Sequence, residues 1–319
     1  MSAASVRLTV VVLNYDGRAL LQAMLASLES QVCEPFRTLV VDNGSSDDSR
    51  EFLAAAHPEV EVLALERNIG VTAALNRGLR RAGTEYVALF NNDVELEPDC
   101  LAELLAGLEA HPQAGSVAPK MRDYRDRGLL DGAGDLLSWR GGGRRRGHGQ
   151  PDDGRYDDAE EVFGPCGGAA VLRRTALERV GGFEESYFAY YEDIDWAFRA
   201  QLAGFHCRYV PSAVVYHHGS ATLGRGFNDF NGYHLWRNPV WLVCRCYPAA
   251  TLVRHLPEVL LGQLGNLYRA GRERRLRVWA RAMRDALRGM PAALRGRREV
   301  QRRRTIGARE LERRARLGT

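Results

Sequence analysis

Apolar residues in the first 120 positions fall into short runs separated by segments of helical spacing. Leu8 to Leu13 is an apolar run rich in β-branched residues, the pattern of a strand buried on both faces. From Gly17 to Ser30 the spacing turns helical, with Leu20, Leu21, Met24, Leu25 and Leu28 on one side. Phe36 to Val41 predicts a second strand, Val60 to Leu65 a third and Tyr86 to Phe90 a fourth, with a helix over Val71 to Ala82. Pro98 suits the first position of a further helix, and Ser116 to Pro119 predicts a fifth strand. Strands alternating with helices imply a parallel, doubly wound α/β sheet. Each strand ends in polar residues: Asn14-Tyr15-Asp16, Asp42-Asn43, Arg67-Asn68 and Asn91-Asn92-Asp93. The carboxyl edge of such a sheet is where its ligands bind.

The rhythm then breaks. Arg122 to Glu161 holds Gly141-Gly142-Gly143-Arg144-Arg145-Arg146-Gly147 and Asp152-Asp153-Gly154, which predicts a mobile loop or lid. Phe163 to Leu172 is strand-like around Gly167-Gly168, Glu192 to Ala203 predicts a helix, and Val214 to Tyr216 a short strand before His217-His218. Beyond Trp236 the chain is helical and rich in arginine. This divides the chain into one domain over residues 1–235 and a helical, Arg-rich region over 236–319.

Charge sharpens that division. The net +4 hides an asymmetry: from Arg269 onward there are eighteen arginines against five acidic residues, so that segment carries +13 and the remainder −9. A basic tail favours anionic partners, a membrane surface or nucleic acid. Nucleic acid is not expected, because the tail lacks interleaved aromatics and a recognised binding fold. No segment reaches the eighteen or so apolar residues of a spanning helix; Val240 to Leu267 comes nearest, interrupted by Arg245, Pro248, Arg254 and Pro257, and suits a membrane interface. Met1 to Ser5 is small and polar and Leu8 to Leu13 is too short for a signal core, so no secretory leader is expected. Six scattered cysteines form no zinc-type pair and are expected to be reduced, as in a cytoplasmic protein.

Two acidic clusters a hundred positions apart carry the candidate chemistry. Asp93 follows the fourth strand, where a carboxylate can bind Mg²⁺ or Mn²⁺ together with diphosphate oxygens or, alternatively, cap the next helix. Asn91 and Asn92 can position phosphate or ribose. Asp42 can accept the imide N–H of a pyrimidine base, or close an Asx-turn; Tyr15 can stack on the base or pack internally; Arg67 offers a cation to a diphosphate. In the second cluster, Glu192, Asp193 and Asp195 crowd negative charge beside Trp196, and Asp193 is the candidate base; acidic residues at a helix start also simply complement its dipole. His217 or His218 can join Asp93 on one ion.

In their order and spacing, these motifs resemble the inverting family 2 glycosyltransferases of the GT-A fold. The matching pieces are Val11 to Tyr15, Val41 to Ser45, Asn68-Ile69-Gly70, Asn91-Asn92-Asp93, Gly167-Gly168, Gly181-Gly182-Phe183, Glu192 to Trp196 and Tyr216-His217-His218, together spanning about Val6 to Gly219. The resemblance implies a nucleotide-sugar half over residues 1–120 and an acceptor half over 121–235. It implies that Asp42 reads the base and that Asn14, Tyr15, Arg67, Asn68, Asn91 and Asn92 complete the donor site. Asp93 binds the divalent metal with His217, with His218 as fallback, and Asp193 is the catalytic base. Gly167, Gly168, Glu192, Asp195 and Trp196 fall on the acceptor side. The family's Asp-x-Asp motif stands here as Asn91-Asn92-Asp93, as in the rhamnosyltransferase-like bacterial branch. The implied donor is a dTDP- or UDP-sugar, dTDP-rhamnose first, and the implied acceptor a lipid-linked or growing polysaccharide of the cell envelope. Its implied place is the cytoplasm, peripheral on the inner face of a bacterial membrane through an anionic-surface contact of the C-terminal region.

Two other classes compete. A nicotinamide dehydrogenase would need a Gly-x-Gly-x-x-Gly turn after the first strand, where Asn14-Tyr15-Asp16-Gly17-Arg18 stands instead. A catalytically inactive glycan- or nucleotide-binding protein of the same fold is favoured by Asn91 and opposed by the intact Asp93 and Asp193.

Overall fold

The computed structural model describes residues 6–219 and 226–316; the expectation about residues 1–5 lies outside them. Four parallel strands, β1 (Leu8–Asn14), β2 (Phe36–Asp42), β3 (Glu61–Ala64) and β4 (Tyr86–Asn91), stand in the order β3-β2-β1-β4. Helices α1 (Arg18–Glu29), α2 (Ser49–Ala56) and α3 (Val71–Ala82) connect them. Every residue of β1 is buried, as the centre of a sheet covered on both faces requires. Its side chains alternate: Val10 and Val12 meet Leu21, Met24 and Leu25 of α1, while Val11 meets Leu75 and Leu79 of α3. The second contact is close, since a Cβ at Gly78 would lie 2.6 Å from Val11 Cγ1.

The second half completes the sheet in a mixed pattern. After β5 (Val94–Leu96) and α4 (Cys100–Glu109) comes β6 (Ala114–Asp123), much longer than the predicted Ser116 to Pro119. Three short strands follow: β7 (Leu130–Gly132), β8 (Asp135–Ser138) and β9 (Gly142–Arg145). β10 (Glu160–Val162) lies at the sheet edge, β11 (Ala169–Arg173) runs antiparallel between β4 and β6, and β12 (His206–His217) pairs parallel with β6. Helices α5 (Arg174–Val180) and α6 (Glu192–Leu202) pack on the same face as α3. The result is the mainly parallel, helix-flanked α/β sheet that the sequence predicts.

The segment Arg122 to Glu161 is a correction. It is built of strands rather than an irregular loop, with β8 and β9 forming a hairpin that turns at Gly141 (φ +98°). Ion pairs hold it. The buried ammonium of Lys120 donates to Asp152 at 2.9 Å and to Asp157, while Arg146 pairs with Glu160 and lies 4.6 Å over the Tyr156 ring. These partners are 14 to 37 positions apart, so no local periodicity announces the strands.

The C-terminal helices are α7 (Asp229–Cys246), α8 (Ala249–Arg254), α9 (Leu256–Arg272), α10 (Leu276–Arg303) and α11 (Ala308–Arg314). α7 starts at a reciprocal Asn228–Asn231 capping box and runs through the division placed at 235. α10 lies along α7: Trp241 Nε1 donates to the Ala286 carbonyl at 2.9 Å, and Arg297 donates to the Cys244 carbonyl at 2.9 Å. α11 returns to α6, where Arg314 donates to the Gln201 side chain at 3.2 Å and the Phe205 carbonyl at 3.0 Å. The basic tail is therefore packed onto the body, and all six cysteines are free thiols.

Candidate active site

Strand register brings the first two candidate residues together. Asp93 lies in the turn from β4 to β5, and His217, the last residue of β12, pairs with Val94. His217 Nε2 is 3.6 Å from Asp93 Oδ2. Its Nδ1 lies 2.8 Å from Asp131 Oδ2, and Asp131 is itself paired with Arg145. Asp131 thereby fixes the ring with Nε2 toward Asp93, the arrangement in which a carboxylate orients a ligating histidine. Burial works against a charged imidazole here, but hydrogen bonds to Asp131 and Asp93 outweigh it and raise His217 to about 9. His218, just past the end of β12, points elsewhere: its Nε2 is 3.2 Å from Glu95 and its ring stacks on Tyr124.

Asp93 and His217 open into a cavity of about 410 Å³ at the carboxyl edge of β1 and β4. Asp193, from the first turn of α6, lines the same cavity. Its Oδ2 accepts from the Gly167 N–H at 3.0 Å and its Oδ1 from the Ile194 N–H at 2.7 Å, which fixes the carboxylate without a cationic partner in these bonds. A Cβ at Gly167 would lie 3.1 Å from that Oδ2, so the close approach depends on glycine. Tyr15, Asn68, Asn91, Asn92, Gly168 and Glu192 also reach the cavity. Burial, then the charge of Asp193, pushes the Glu192 carboxyl up to about 8 and that of Asp135 up to about 7. Two carboxyl groups of the cavity thus favour their protons.

The wall ahead of Asp193 is strained. Phe188, Tyr190 and Tyr191 adopt φ values of 67°, 64° and 75°, a region that side chains disfavour. Two neighbours on α7 hold them. The fully buried Asn238 donates to the carbonyls of Ala189 (2.9 Å) and Tyr190 (2.8 Å), and Arg237 donates to that of Tyr187 (2.8 Å). This places the aromatic rings and the start of α6 around the cavity.

Several predicted residues lie outside it, and these are corrections. Asp42 is fully buried, with its oxygens taken by Arg50 Nε (2.6 Å), Asn14 Nδ2 (3.1 Å) and Ser45. Asn14 is equally hidden and accepts from Asn92 Nδ2 at 2.8 Å. Asp42 and Asn14 thus lie behind the cavity wall, and Asn92, at the wall itself, ties the ends of β1 and β2 to that of β4. Arg67 is exposed and does not line the cavity. Trp196 is in the core, its Nε1 donating to the Gly181 carbonyl at 3.0 Å. Asp195 faces the interior, accepting from Arg199 at 2.6 Å, Tyr187 at 3.1 Å and Arg245 at 3.4 Å. One turn of α6 therefore points Asp193 into the cavity and Asp195 away from it. Asp195→Ala would leave the buried Arg199 without its carboxylate and Arg245 with Glu184 alone, and is expected to cost about 3–5 kcal/mol, read as a lowered urea midpoint.

Sequence reasoning missed Asp131, Asp135, Arg145, Cys166 and Phe188, of which all but Asp131 line the cavity. Asp131, Asp135 and Arg145 sit in the stretch that reads as irregular, where nothing local marks them. Burial pushes the Cys166 thiol up to about 12, so it packs as a neutral group.

Asp93 and His217 fit a small divalent ion. Neighbouring donors on such an ion, each at about 2.1 Å, are about 3 Å apart, and a 3.6 Å separation needs little adjustment. A carboxylate with an imidazole suits Mn²⁺ better than Mg²⁺.

A helix-flanked sheet with one carboxylate just past its fourth strand and another facing it from a later helix agrees with the GT-A fold of glycosyltransferases, and the family match below shows that class. The chain belongs to glycosyl transferase family 2, whose signature its residues 9–181 match. It is 32% identical over 240 residues to an N-acetylglucosaminyl-diphospho-decaprenol L-rhamnosyltransferase of Mycobacterium tuberculosis, covering 68% of this chain and 78% of that one. Among solved structures it resembles Staphylococcus aureus TarS 1-349 in complex with UDP-GlcNAc, with a TM-score of 0.60 at 17% identity over 93% of this chain and 90% of that one. It also resembles the mannosyltransferase PcManGT from Pyrobaculum calidifontis in complex with GDP-Man and Mn²⁺, with a TM-score of 0.54 at 19% identity over 92% and 86% of the two chains.

Proposed function

We propose that this glycosyltransferase moves a sugar, with inversion, from a nucleoside diphosphate to a hydroxyl of a lipid-linked or polysaccharide acceptor in cell-envelope glycan synthesis. One observation carries the reading: Asp93, Asp193 and His217, from three distant segments, open into one cavity. Its volume of about 410 Å³ suits an activated sugar. The named activity of the Mycobacterium tuberculosis relative supports L-rhamnose as the sugar and a polyprenyl diphosphate-linked acceptor. The donors in the two related structures support a nucleotide-sugar.

Asp193 is the base in this proposal. It accepts the acceptor's hydroxyl proton as that oxygen attacks the anomeric carbon from the face opposite the diphosphate. Of the residues that line the cavity, Tyr15, Asn68, Asn91 and Asn92 are assigned in this proposal to the donor side, and Gly167, Gly168 and Glu192 to the acceptor side. Asp93 and His217 would hold Mn²⁺ or Mg²⁺, which when bound counters charge on the departing diphosphate. Asp131→Asn, which spares the ligands but weakens the hold on Nδ1, is expected to lower Mn²⁺ affinity about 10- to 100-fold by calorimetric titration. The C-terminal region is proposed to rest on the anionic inner face of a bacterial membrane.

The direct test supplies labelled dTDP-rhamnose, with UDP-sugars in parallel, Mn²⁺ and N-acetylglucosaminyl-diphospho-decaprenol. Label passing to the lipid phase supports the reading. Intact donor with every nucleotide and acceptor would overturn it.

A further inference from the structure

Helix α9 is amphipathic the wrong way round for a helix on a water-facing surface. Its inner side is Val259, Gly262, Gln263, Asn266 and Ala270, with Gly262 so close to the β8–β9 turn that a Cβ would lie 2.2 Å from the Arg140 carbonyl. Its outer side is Leu256, Leu260, Leu261, Leu264 and Tyr268, exposed by 46%, 54%, 55%, 60% and 73%. Positions 256, 260, 264 and 268 follow one another a turn apart, so the exposed groups form a continuous stripe. Val253 of α8, 76% exposed, precedes it. Stripes of this size on a folded protein mark an interaction surface.

What surrounds the stripe selects its occupant. Exposed Arg269, Arg272, Arg274 and Arg277 stand at its C-terminal end and in the turn into α10. Leucines edged by arginines, with a tyrosine near the end, match an interfacial helix: the apolar face enters the acyl boundary while guanidinium groups reach anionic headgroups. No described helix is long and apolar enough to cross a membrane, so the contact would lie in the interface plane.

From this we infer that the outer face of α9 is the surface by which the protein docks on an anionic lipid bilayer, with its leucines inserted. The inference rests on the lipid-borne acceptor proposed above and moves the contact from the arginine-rich tail to a specific helix. It also gives the docked protein an orientation. The inner side of α9 abuts the turn of the β8–β9 hairpin, and Gly143 and Arg145 of that hairpin line the cavity. A bilayer under α9 therefore lies beside the catalytic cavity, where an acceptor held by its lipid tail can reach Asp193.

The test is co-sedimentation of the purified full chain with vesicles of phosphatidylcholine, with and without 30% phosphatidylglycerol. Wild type is expected to sediment with the anionic vesicles, and less at high salt. The pair Leu260→Glu and Leu264→Glu is expected to weaken partitioning by at least about tenfold, with unchanged circular dichroism. A milder pair, Leu256→Gln and Leu261→Gln, should weaken it in the same direction and guards against misfolding of the first. Wild type that stays in the supernatant, or Glu and Gln variants that sediment like wild type, would overturn the inference. So would a wild-type dimer by light scattering that the same substitutions dissolve. The readout involves no sugar transfer, so docking protein without turnover would count against the transferase proposal alone.

Discussion

Asp193→Asn is expected to lower kcat by about two to four orders of magnitude while changing donor affinity by less than about twofold. The substitution keeps size and shape. The carboxamide oxygen can still accept from one of the two N–H groups now held, those of Gly167 at 3.0 Å and Ile194 at 2.7 Å, and the Asn238 bond to the Tyr190 carbonyl should keep the start of α6 in place. What is lost is the ability to take a proton. Initial rates at saturating donor report the first quantity, and calorimetric titration with the nucleotide-sugar the second. The neighbours cannot readily substitute: Glu192 and Asp135 are both pushed toward their protonated forms by burial and by Asp193 itself. Removing the charge at 193 relieves part of that push, so some residual activity through Glu192 is the expected floor. A variant keeping more than about a tenth of wild-type turnover would move the base elsewhere.

The second large effect is expected at the proposed ion. His217→Ala should cost at least about a hundredfold in turnover and abolish tight Mn²⁺ binding, and EDTA treatment of wild type should match it. His218→Ala should change either quantity by less than about twofold, because His218 faces Glu95 and Tyr124. The Mn²⁺ spin-resonance signal measures binding without any assay of transfer. Equal effects at 217 and 218 would remove the present assignment. The contrast is sharp because the two side chains have different partners: His217 lines the cavity, and His218 meets Glu95 and Tyr124 outside it.

Much of this was legible from residue order. β1, β2 and β4 are apolar runs because they are covered on both faces, and burial of that kind leaves a mark that needs no partner to be read. Asp93, Asp193 and His217 were also legible, each standing next to a recognisable element end. Asp42 carried two readings, a base contact or an Asx-turn, and the Ser45 N–H donating to its Oδ2 at 3.2 Å closes that turn, while Asp195 and Trp196 lie in the interior and not on the acceptor side. A polar or aromatic group looks the same in sequence whether it faces a ligand or a buried partner, and Arg50 and Arg199 decide which. Strands β7 to β9 were hidden because each is only three or four residues long, and their buried leucines, Leu130, Leu136 and Leu137, form no repeating pattern. The stretch containing α9 read only as an interrupted apolar segment suited to a membrane interface; the packing of Gly262 and the exposure of the leucines show which face points outward.

The hold of Asn238 on the strained segment before α6 has a bearing on engineering. Residues 9–181 match the family signature, yet the proposed base, the ligand histidine and the clamp on α7 all come later. A chimera that exchanges only the matched span between relatives would join a foreign scaffold to an unrelated clamp. Crossovers placed after Cys246 would carry the catalytic cavity across as one inherited unit.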